Sequence, residues 1–197
     1  MPLLDRILPE MTSATSRRMT PTEVRDDVLA LLRARWHLRN ATSVGERVRV
    51  WGRVIVRNAG TMVIGQRASL SSTAVPIQLS TEPNGKLEIG ARTFMNYGCS
   101  ISATKLISIG PDCKIGMDVL IMDNDYHQIN PTKRGVRPAS APVILEENVW
   151  LGARVIVLSG VTIGADSVVA AGSVVTRDIP PGCVAAGQPA RVIKSIS

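Results

Sequence analysis

Aromatic residues make up only 3% of this 197-residue sequence, although 45% of it is hydrophobic. Globular cores usually draw much of their bulk from aromatic side chains. A hydrophobic content made of Val, Ile, Leu and Ala instead indicates many short, uniform strands. The chain is long enough for one domain with a core of its own. The composition therefore favours a single, mainly β domain.

Long hydrophobic runs and cysteine pairs are also missing. No apolar run approaches the ~20 residues needed to cross a bilayer, and the first eleven residues lack the apolar segment of a signal peptide. The three cysteines, Cys99, Cys113 and Cys183, cannot all pair with one another and show no C-x-x-C spacing. We therefore expect a cytoplasmic protein without a metal site. Peripheral membrane contact is allowed by the sequence but not indicated by it.

The net charge of +7 raises the question of nucleic acid. The positive residues are scattered along the chain, however, and no aromatic residues interleave with them in a stacking pattern. We therefore expect no nucleic-acid partner. An anionic small molecule, such as a phosphate-bearing cofactor or a lipid-linked sugar, fits the charge better.

Residues 1–43 form an N-terminal segment of different character from the rest. Residues 1–18 indicate a loosely held arm, and a helix is predicted from Thr20 to about Leu38. Thr20 can cap this helix, Pro21 suits its first position, and Glu23 completes a capping box. Four residues at fourfold spacing give the helix an apolar face: Val24, Val28, Leu32 and Trp36. We expect it to cover an open end of the domain that follows.

A six-residue repeat dominates residues 44–194. Its clearest stretch places aliphatic residues at Leu145, Leu151, Val157, Ile163, Val169 and Val175. A second small or aliphatic residue follows each by four positions, at Val149, Val155, Val161, Ser167, Ser173 and Ile179. Turn-forming residues recur at Asn148, Gly160, Asp166, Gly172 and Asp178, and earlier copies of the repeat begin at Ile89 and Ile109. Such units bury nothing singly, but stacked coils bury one continuous aliphatic column. The sequence therefore predicts an all-β solenoid, a parallel β-helix of hexapeptide repeats.

Several motifs carry a resemblance to a known family. They are Val149-Trp150-Leu151-Gly152-Ala153, Gly160-Val161-Thr162-Ile163-Gly164, Ala170-Ala171-Gly172-Ser173-Val174-Val175-Thr176 and Ala186-Gly187-Gln188-Pro189-Ala190-Arg191. The sequence resembles hexapeptide-repeat acyltransferases, particularly the maltose, galactoside and polysaccharide-biosynthesis sugar O-acetyltransferases. The resemblance implies a left-handed β-helix of triangular section. It also implies a homotrimer with active sites between subunits, and acetyl-CoA as the acyl donor.

One long loop, at about residues 123–143, interrupts the predicted coil. In the family such a loop carries the catalytic histidine, which implies that His127 is the general base. Histidine suits this role because it titrates near neutral pH. Asp125, or alternatively Asp123, is expected to orient the imidazole, and both could instead be simple loop residues. Asn96 aligns with an active-site asparagine of the galactoside-type enzymes, although a plain turn asparagine is an equal alternative.

The resemblance also implies where the coenzyme is bound. The backbone of Ala153 and Ala171 would bond the pantetheine arm, and Trp150 would lie beside the groove. Thr176 and Arg177 would lie near the nucleotide, and Arg191 and Lys194 would pair with its phosphates. No metal is required. The cysteines resemble small core residues more than nucleophiles.

The predicted function is transfer of acetyl from acetyl-CoA to a hydroxyl of a sugar, glycan or glycolipid. The alternatives are O-acetylation of an antibiotic or other xenobiotic, and a non-catalytic β-helix scaffold. A γ-type carbonic anhydrase is excluded because it needs three metal-binding histidines, and this chain has only His37 and His127. The tyrosine-rich acidic module of the maltose-type enzymes has no match in residues 1–40, which leaves the acceptor open.

Overall fold

The computed structural model describes residues 20–196, so the predicted arm at residues 1–18 lies outside the described residues. After the helix α1 (Pro21–His37), the chain winds into a β-solenoid of about seven coils. In chain order the strands are β1 (Ser43–Val44) and β2 (Arg49–Asn58) in the first coil, β3 (Thr61–Ile64) and β4 (Ser69–Thr81) in the second, β5 (Lys86–Ile89), β6 (Phe94–Met95) and β7 (Ser100–Ala103) in the third, β8 (Leu106–Ile109), β9 (Lys114–Ile115) and β10 (Leu120–Met122) in the fourth, β11 (Val143–Leu145), β12 (Trp150–Leu151) and β13 (Ile156–Val157) in the fifth, β14 (Thr162–Ile163), β15 (Val168–Val169) and β16 (Val174–Val175) in the sixth, and finally β17 (Cys183–Gly187) and β18 (Ala190–Ser195).

The coils stack into a three-faced prism in which equivalent strands pair in parallel. The first face is the six-stranded sheet β1-β3-β5-β8-β11-β14. The second face contains β6, β9, β12, β15 and β17, and the third contains β7, β10, β13 and β16. The long strands β2 and β4 cross both of these faces and join them in one sheet. Trp150 pairs with Val168 and Ile156 with Val174, so a regular coil takes 18 residues, or three hexads. The solenoid is left-handed, as the resemblance implied.

The inward positions of the repeat form one aliphatic column, as predicted. The six leading residues of the C-terminal stretch are all buried: Leu145, Leu151, Val157, Ile163, Val169 and Val175. The second positions are buried as well, including the polar Ser167 and Ser173. Their hydroxyls donate to the carbonyls of Pro180 and Ala170, each at 2.7 Å, which removes the cost of burying them.

The turns between faces use left-handed backbone at most of the predicted turn-formers. The φ angles are 54° at Asn148, 82° at Gly160, 61° at Asp166 and 72° at Gly172. Asp178 acts differently, because its carboxylate accepts a hydrogen bond of 2.7 Å from the Thr162 N–H. The short strands and tight turns are what a narrow prism requires.

The helix begins as the sequence predicted. The Thr20 hydroxyl accepts from the Glu23 N–H at 3.2 Å, and the Glu23 carboxylate accepts from the Thr20 N–H at 2.7 Å. This reciprocal pair is the capping box. Within residues 20–196, no helix is both long and apolar enough to span a bilayer.

The face that α1 turns towards the solenoid is not the apolar stripe seen in the sequence. The buried contacts come from the small residues Ala30 and Ala34 and from Leu38, just after the helix. The residues of the stripe face outward, with exposures of 48% for Val24, 49% for Val28, 55% for Leu32 and 66% for Trp36. Small side chains allow the helix axis to lie close to the first coil, which explains why this side packs inward.

Candidate active site

The loop predicted to carry the general base occupies residues 123–142, between β10 and β11. It leaves the prism at what we call the third edge, the line of turns that follows the third face. The second edge is the corresponding line of turns between the second and third faces. A short 3-10 turn, Pro131–Lys133, is the only regular element inside the loop.

Asp123 anchors the start of the loop. Its side chain is fully buried, and its carboxylate accepts hydrogen bonds from the N–H groups of Thr104 (2.7 Å), Lys105 (2.6 Å) and Leu106 (2.7 Å) in the turn of the preceding coil. A buried carboxylate with three donors is well compensated for its lost hydration. Asp123 therefore has a structural role in the loop and is not the partner of an imidazole.

Asn124 closes the base of the loop. Its side-chain amide donates to the carbonyl of Pro138 (2.9 Å) and to the hydroxyl of Ser140 (2.8 Å), on the returning strand of the loop. Its side-chain oxygen accepts from the Tyr126 N–H at 2.6 Å. Because Asn124 is 1% exposed, these bonds form away from solvent and fix the two ends of the loop against each other.

Tyr126 fixes the segment next to the histidine. Its hydroxyl lies 2.8 Å from the hydroxyl of Ser102 on the third face. The guanidinium of Arg137 lies over its ring, 4.9 Å from the centroid, and is itself held by the carboxylate of Glu82. The backbone of Tyr126 has a φ of 60°, which re-aims the chain immediately before His127.

His127 is exposed, and its ring is held by a backbone group. Its Nδ1 lies 2.9 Å from the carbonyl oxygen of Arg134, across the loop. A carbonyl can only accept, so Nδ1 carries the proton, and in the neutral ring the lone pair is on Nε2. This is the tautomer that a general base needs.

Within residues 20–196, neither of the two aspartates expected to orient this ring is hydrogen-bonded to it. The group bonded to Nδ1 is the Arg134 carbonyl, which sequence reasoning missed. Asp125 is exposed, and its backbone carbonyl, not its carboxylate, accepts from the His127 N–H at 2.7 Å. Within residues 20–196, no hydrogen bond or ion pair involves the Asp125 carboxylate. No residue type could have revealed the Arg134 contact, because any residue has a backbone carbonyl.

Asn96, Ala153 and Ala171 all lie on the second edge. The turns there stack through backbone bonds: the Arg154 N–H donates to Met117, and the Gly172 N–H donates to Ala153, each at 2.8 Å. Asn96 lies two coils before Ala153, and its side-chain oxygen accepts from the Tyr97 N–H at 2.9 Å. Within the described chain the N–H groups of Ala153 and Ala171 donate to no protein acceptor, which leaves them for an external one.

The remaining residues predicted to hold coenzyme A divide between two edges. Trp150, 55% exposed, lies on the second face, and Arg191 and Lys194 are exposed on β18, which pairs with the last strand of that face. Thr176 and Arg177 are exposed at the third edge, two coils beyond the start of the His127 loop. The structure thus places one set on the second side of the prism and another at the third edge, from which the loop with His127 leaves.

The cysteines lie in the core. All three are free and buried, and burial raises the pKa of Cys99 to about 12 and that of Cys113 to about 11. A thiol with so high a pKa is a poor nucleophile at neutral pH. Within residues 20–196, no group of three or more His, Cys, Asp or Glu side chains is arranged to hold a metal ion.

Comparisons with known proteins agree with the repeat architecture described above. Residues 142–177 match the family described as the hexapeptide repeat of succinyl-transferase. The chain is 35% identical over 122 residues to the galactoside O-acetyltransferase of Escherichia coli strain K12. The alignment covers 62% of this chain and 59% of that protein. It is 41% identical over 113 residues to the galactoside O-acetyltransferase of Lactococcus lactis subsp. lactis strain IL1403. This alignment covers 56% of this chain and 54% of that protein. The chain therefore spans little more than half the length of these curated relatives.

A solved structure of a galactoside acetyltransferase in complex with coenzyme A has the same fold. It gives a TM-score of 0.62 at 28% identity, covering 91% of this chain and 74% of that one. Fold and repeat together define a left-handed β-helix protein. More particularly, the chain is similar to hexapeptide-repeat acyltransferases, among them the galactoside and maltose O-acetyltransferases.

Proposed function

We propose that the protein transfers an acetyl group from acetyl-CoA to a hydroxyl of a sugar, glycan or glycolipid, with His127 as the general base. The observation that carries this proposal is the fixed imidazole, whose Nδ1–H is bound to the Arg134 carbonyl and whose Nε2 is open. The similarity to galactoside acetyltransferases, one of them bound to coenzyme A, supports the same reaction class.

In the proposed reaction Nε2 of His127 takes the proton of the acceptor hydroxyl while its oxygen attacks the thioester carbonyl. The new C–O bond forms, the C–S bond of the tetrahedral intermediate breaks, and the imidazolium returns its proton to the departing thiolate. The positive charge on the imidazolium is transient. We propose that Asp125, two residues away, stabilises it through its negative charge, and that Asn96 holds the acceptor hydroxyl or the reacting carbonyl.

The chain's own residues suit the acyl donor. The free N–H groups of Ala153 and Ala171 would bond the pantetheine amides, with Trp150 beside them. Arg191 and Lys194 are exposed cations for the phosphates, and Thr176 and Arg177 would lie near the nucleotide. Because these groups occupy two edges of one prism, we propose a homotrimer in which the third edge of one subunit faces the second edge of the next.

The first experiment is an acetyl-CoA consumption assay with pooled saccharides and, separately, hydroxyl-bearing antibiotics. We expect turnover with a saccharide acceptor and not with the antibiotics. Turnover with antibiotics alone would make the protein a xenobiotic acetyltransferase. Failure to bind CoA, with no turnover on any acceptor, would favour the non-catalytic scaffold.

The decisive variant is His127→Ala. We expect kcat to fall by about 10²–10⁴-fold, the usual contribution of a general base, while CoA binding and oligomeric state stay unchanged. His37→Ala is the matched control, since His37 is the only other histidine and lies at the end of α1. It should change kcat less than about twofold, an effect typical of substitutions away from the chemistry. Near-normal turnover in His127→Ala would rule out the mechanism.

A further inference from the structure

A cleft lies at the end of the prism opposite to the antiparallel pair β17 and β18, and it has no part in the proposed reaction. It lies between α1 and the first coil and encloses about 530 Å³. Its apolar wall includes Leu31, Leu38 and Val48, and its polar wall is made by Arg35, Arg39 and Arg47. None of the residues lining it is acidic. An apolar cleft with a few cationic groups is the usual form of a small-molecule site.

None of these three arginines has a carboxylate partner of its own among the described residues. Arg39 is held against Trp36, with its guanidinium 4.6 Å from the ring centroid and a 2.9 Å bond to the Trp36 carbonyl. Arg35 and Arg47 make no ion pair within residues 20–196. Asp27, whose pKa is lowered first by Arg49 and more weakly by the charge of Arg47, already accepts two hydrogen bonds from Arg49. Within residues 20–196, the positive charge of the cleft is therefore not neutralised by a carboxylate of its own.

The turn that carries Arg47 is repeated in the next coil. Arg47 has a φ of 55°, and the equivalent turn residue of the next coil, Arg67, has a φ of 57°. This left-handed conformation belongs to the repeat, because Asp112, Asn148 and Asp166 adopt it at the same turn of later coils. Stacked coils lie about 4.8 Å apart, so Arg67 is the neighbour of Arg47 in the next coil and forms a short ladder with it.

In the third coil the ladder ends in a neutralised pair. Arg92 occupies the same turn position with a φ of 58°, and its guanidinium donates to the carboxylate of Asp112 at 2.7 and 2.5 Å. Of these three stacked arginines, only Arg92 has a carboxylate partner within residues 20–196.

We propose that this cleft binds an amphipathic phosphate ester, with the phosphate on Arg35 and Arg47 and an apolar chain or ring against Leu31, Leu38 and Val48. Guanidinium groups match phosphate oxygens in geometry and charge. An apolar group of about ten carbons fits beside the phosphate in a cleft of 530 Å³. The site is independent of acetyl transfer, so its test measures binding and not turnover.

The probe is decyl phosphate, titrated calorimetrically into the intact protein below its critical micelle concentration. We expect saturable binding with a dissociation constant on the order of 10 µM, and a weakening of at least about tenfold in the double variant Arg35→Gln/Arg47→Gln. Arg92→Gln is the matched control, because it removes an arginine from the same turn position two coils away. It should leave the affinity within about twofold, as expected for a site with no shared partner.

Two comparison ligands test each half of the proposal, and a pair of vesicle types tests the alternative of a membrane surface. Decanol or inorganic phosphate binding as tightly as decyl phosphate would overturn it, because either the charge or the apolar wall would then be unused. The third arm uses vesicles of phosphatidylglycerol and of phosphatidylcholine. If the protein sedimented with the anionic vesicles but did not bind soluble decyl phosphate, the proposed site in the cleft would be overturned. The result would instead favour a membrane surface that contacts the exposed stripe of α1. Absence of saturable binding in every arm would overturn it as well.

Discussion

Two aspartates in one loop show how far a residue's role depends on its surroundings. Asp123 is buried with three backbone donors around its carboxylate, whereas Asp125, two positions later, is exposed. In sequence the two look equivalent, as candidates to orient His127. In the structure Asp123 holds the loop to the preceding coil, and Asp125 can act on the imidazole only through its charge.

Replacing these aspartates should separate stability from catalysis. Asp123→Asn puts an amide NH₂ against backbone N–H groups, so we expect the free energy of unfolding to fall by about 3 kcal/mol. Asp125→Asn, the control in the same loop, should change it by less than about 0.5 kcal/mol. It should lower kcat by less than about tenfold, which is small beside the effect of His127→Ala. Urea unfolding and acetyl-transfer kinetics give both quantities.

The contrary result would be equally clear. If Asp123→Asn unfolded at the wild-type urea concentration, the three hydrogen bonds would not be holding the loop. If Asp125→Asn were as inactive as His127→Ala, its carboxylate would have to contact the imidazole in the working enzyme.

The sequence could single out His127 as a candidate base, but not the group that its Nδ1 contacts. A histidine in a long loop of an otherwise regular repeat stands out by residue type. The position of the Arg134 carbonyl depends on how the loop folds back through the turn at Asn130. In that turn the Asn130 side chain accepts a hydrogen bond from the Thr132 N–H at 3.0 Å. That fold has no periodicity from which it can be predicted.

At the scale of elements, the hexapeptide repeats determine the strands of each coil, and the turn residues determine the edges between its faces. The strict period from Leu145 onward predicted strands, burial and turn positions correctly. The early coils are less regular: Thr61 pairs with Lys86, a spacing of 25 residues in place of 18, and β4 runs for 13 residues. Extra residues at the edges hide the period there, although the inward residues Ile64 and Leu70 are buried as in any other coil.

The orientation of α1 could not be predicted from its apolar stripe. Periodicity shows that a helix has an apolar side but does not show which side meets the core. Here the inward side is set by Ala30 and Ala34, which allow a close approach, and by the ion pair of Asp27 with Arg49 on β2.

Gly52, inside β2, and Gly172, in a turn, make a matched test of how closely the coils are stacked. Gly52 has a φ of 96°, and a Cβ placed on it would lie 2.1 Å from the Ser72 carbonyl oxygen of the next coil. Gly172 has a φ of 72° with nothing within 4 Å of such a Cβ. We expect Gly172→Ala to cost about 1 kcal/mol from backbone strain alone. Gly52→Ala adds a clash with backbone and should cost roughly 3–5 kcal/mol. Equal losses in chemical denaturation would mean that the coils separate easily at Gly52.

At the scale of the whole molecule, the candidate residues are divided by the shape of the prism. Asn96, Ala153 and Ala171 lie on the second edge, and the loop with His127 leaves from the third. A strand of the third face, such as β7 with its four residues, spans about 13 Å between these edges. In the described chain no hydrogen bond or ion pair joins the two groups. The proposed homotrimer would bring the two edges together, and their separation within one subunit could not be predicted from the repeat without the register of every coil.

This division predicts complementation between two inactive variants. His127→Ala removes the base at the third edge, and Ala171→Trp fills the exposed second-edge turn where the pantetheine arm would lie. In oligomers formed by co-expression at equal levels, a site is intact when its third edge comes from an Ala171→Trp subunit and its second edge from a His127→Ala subunit. Random assembly should then restore about one quarter of wild-type kcat per subunit, although each variant alone is inactive.

Mixing the two variants after separate purification, without subunit exchange, is the control and should restore nothing. Activity that stays absent in the co-expressed oligomer would place both groups in one subunit's site and overturn the shared-site arrangement.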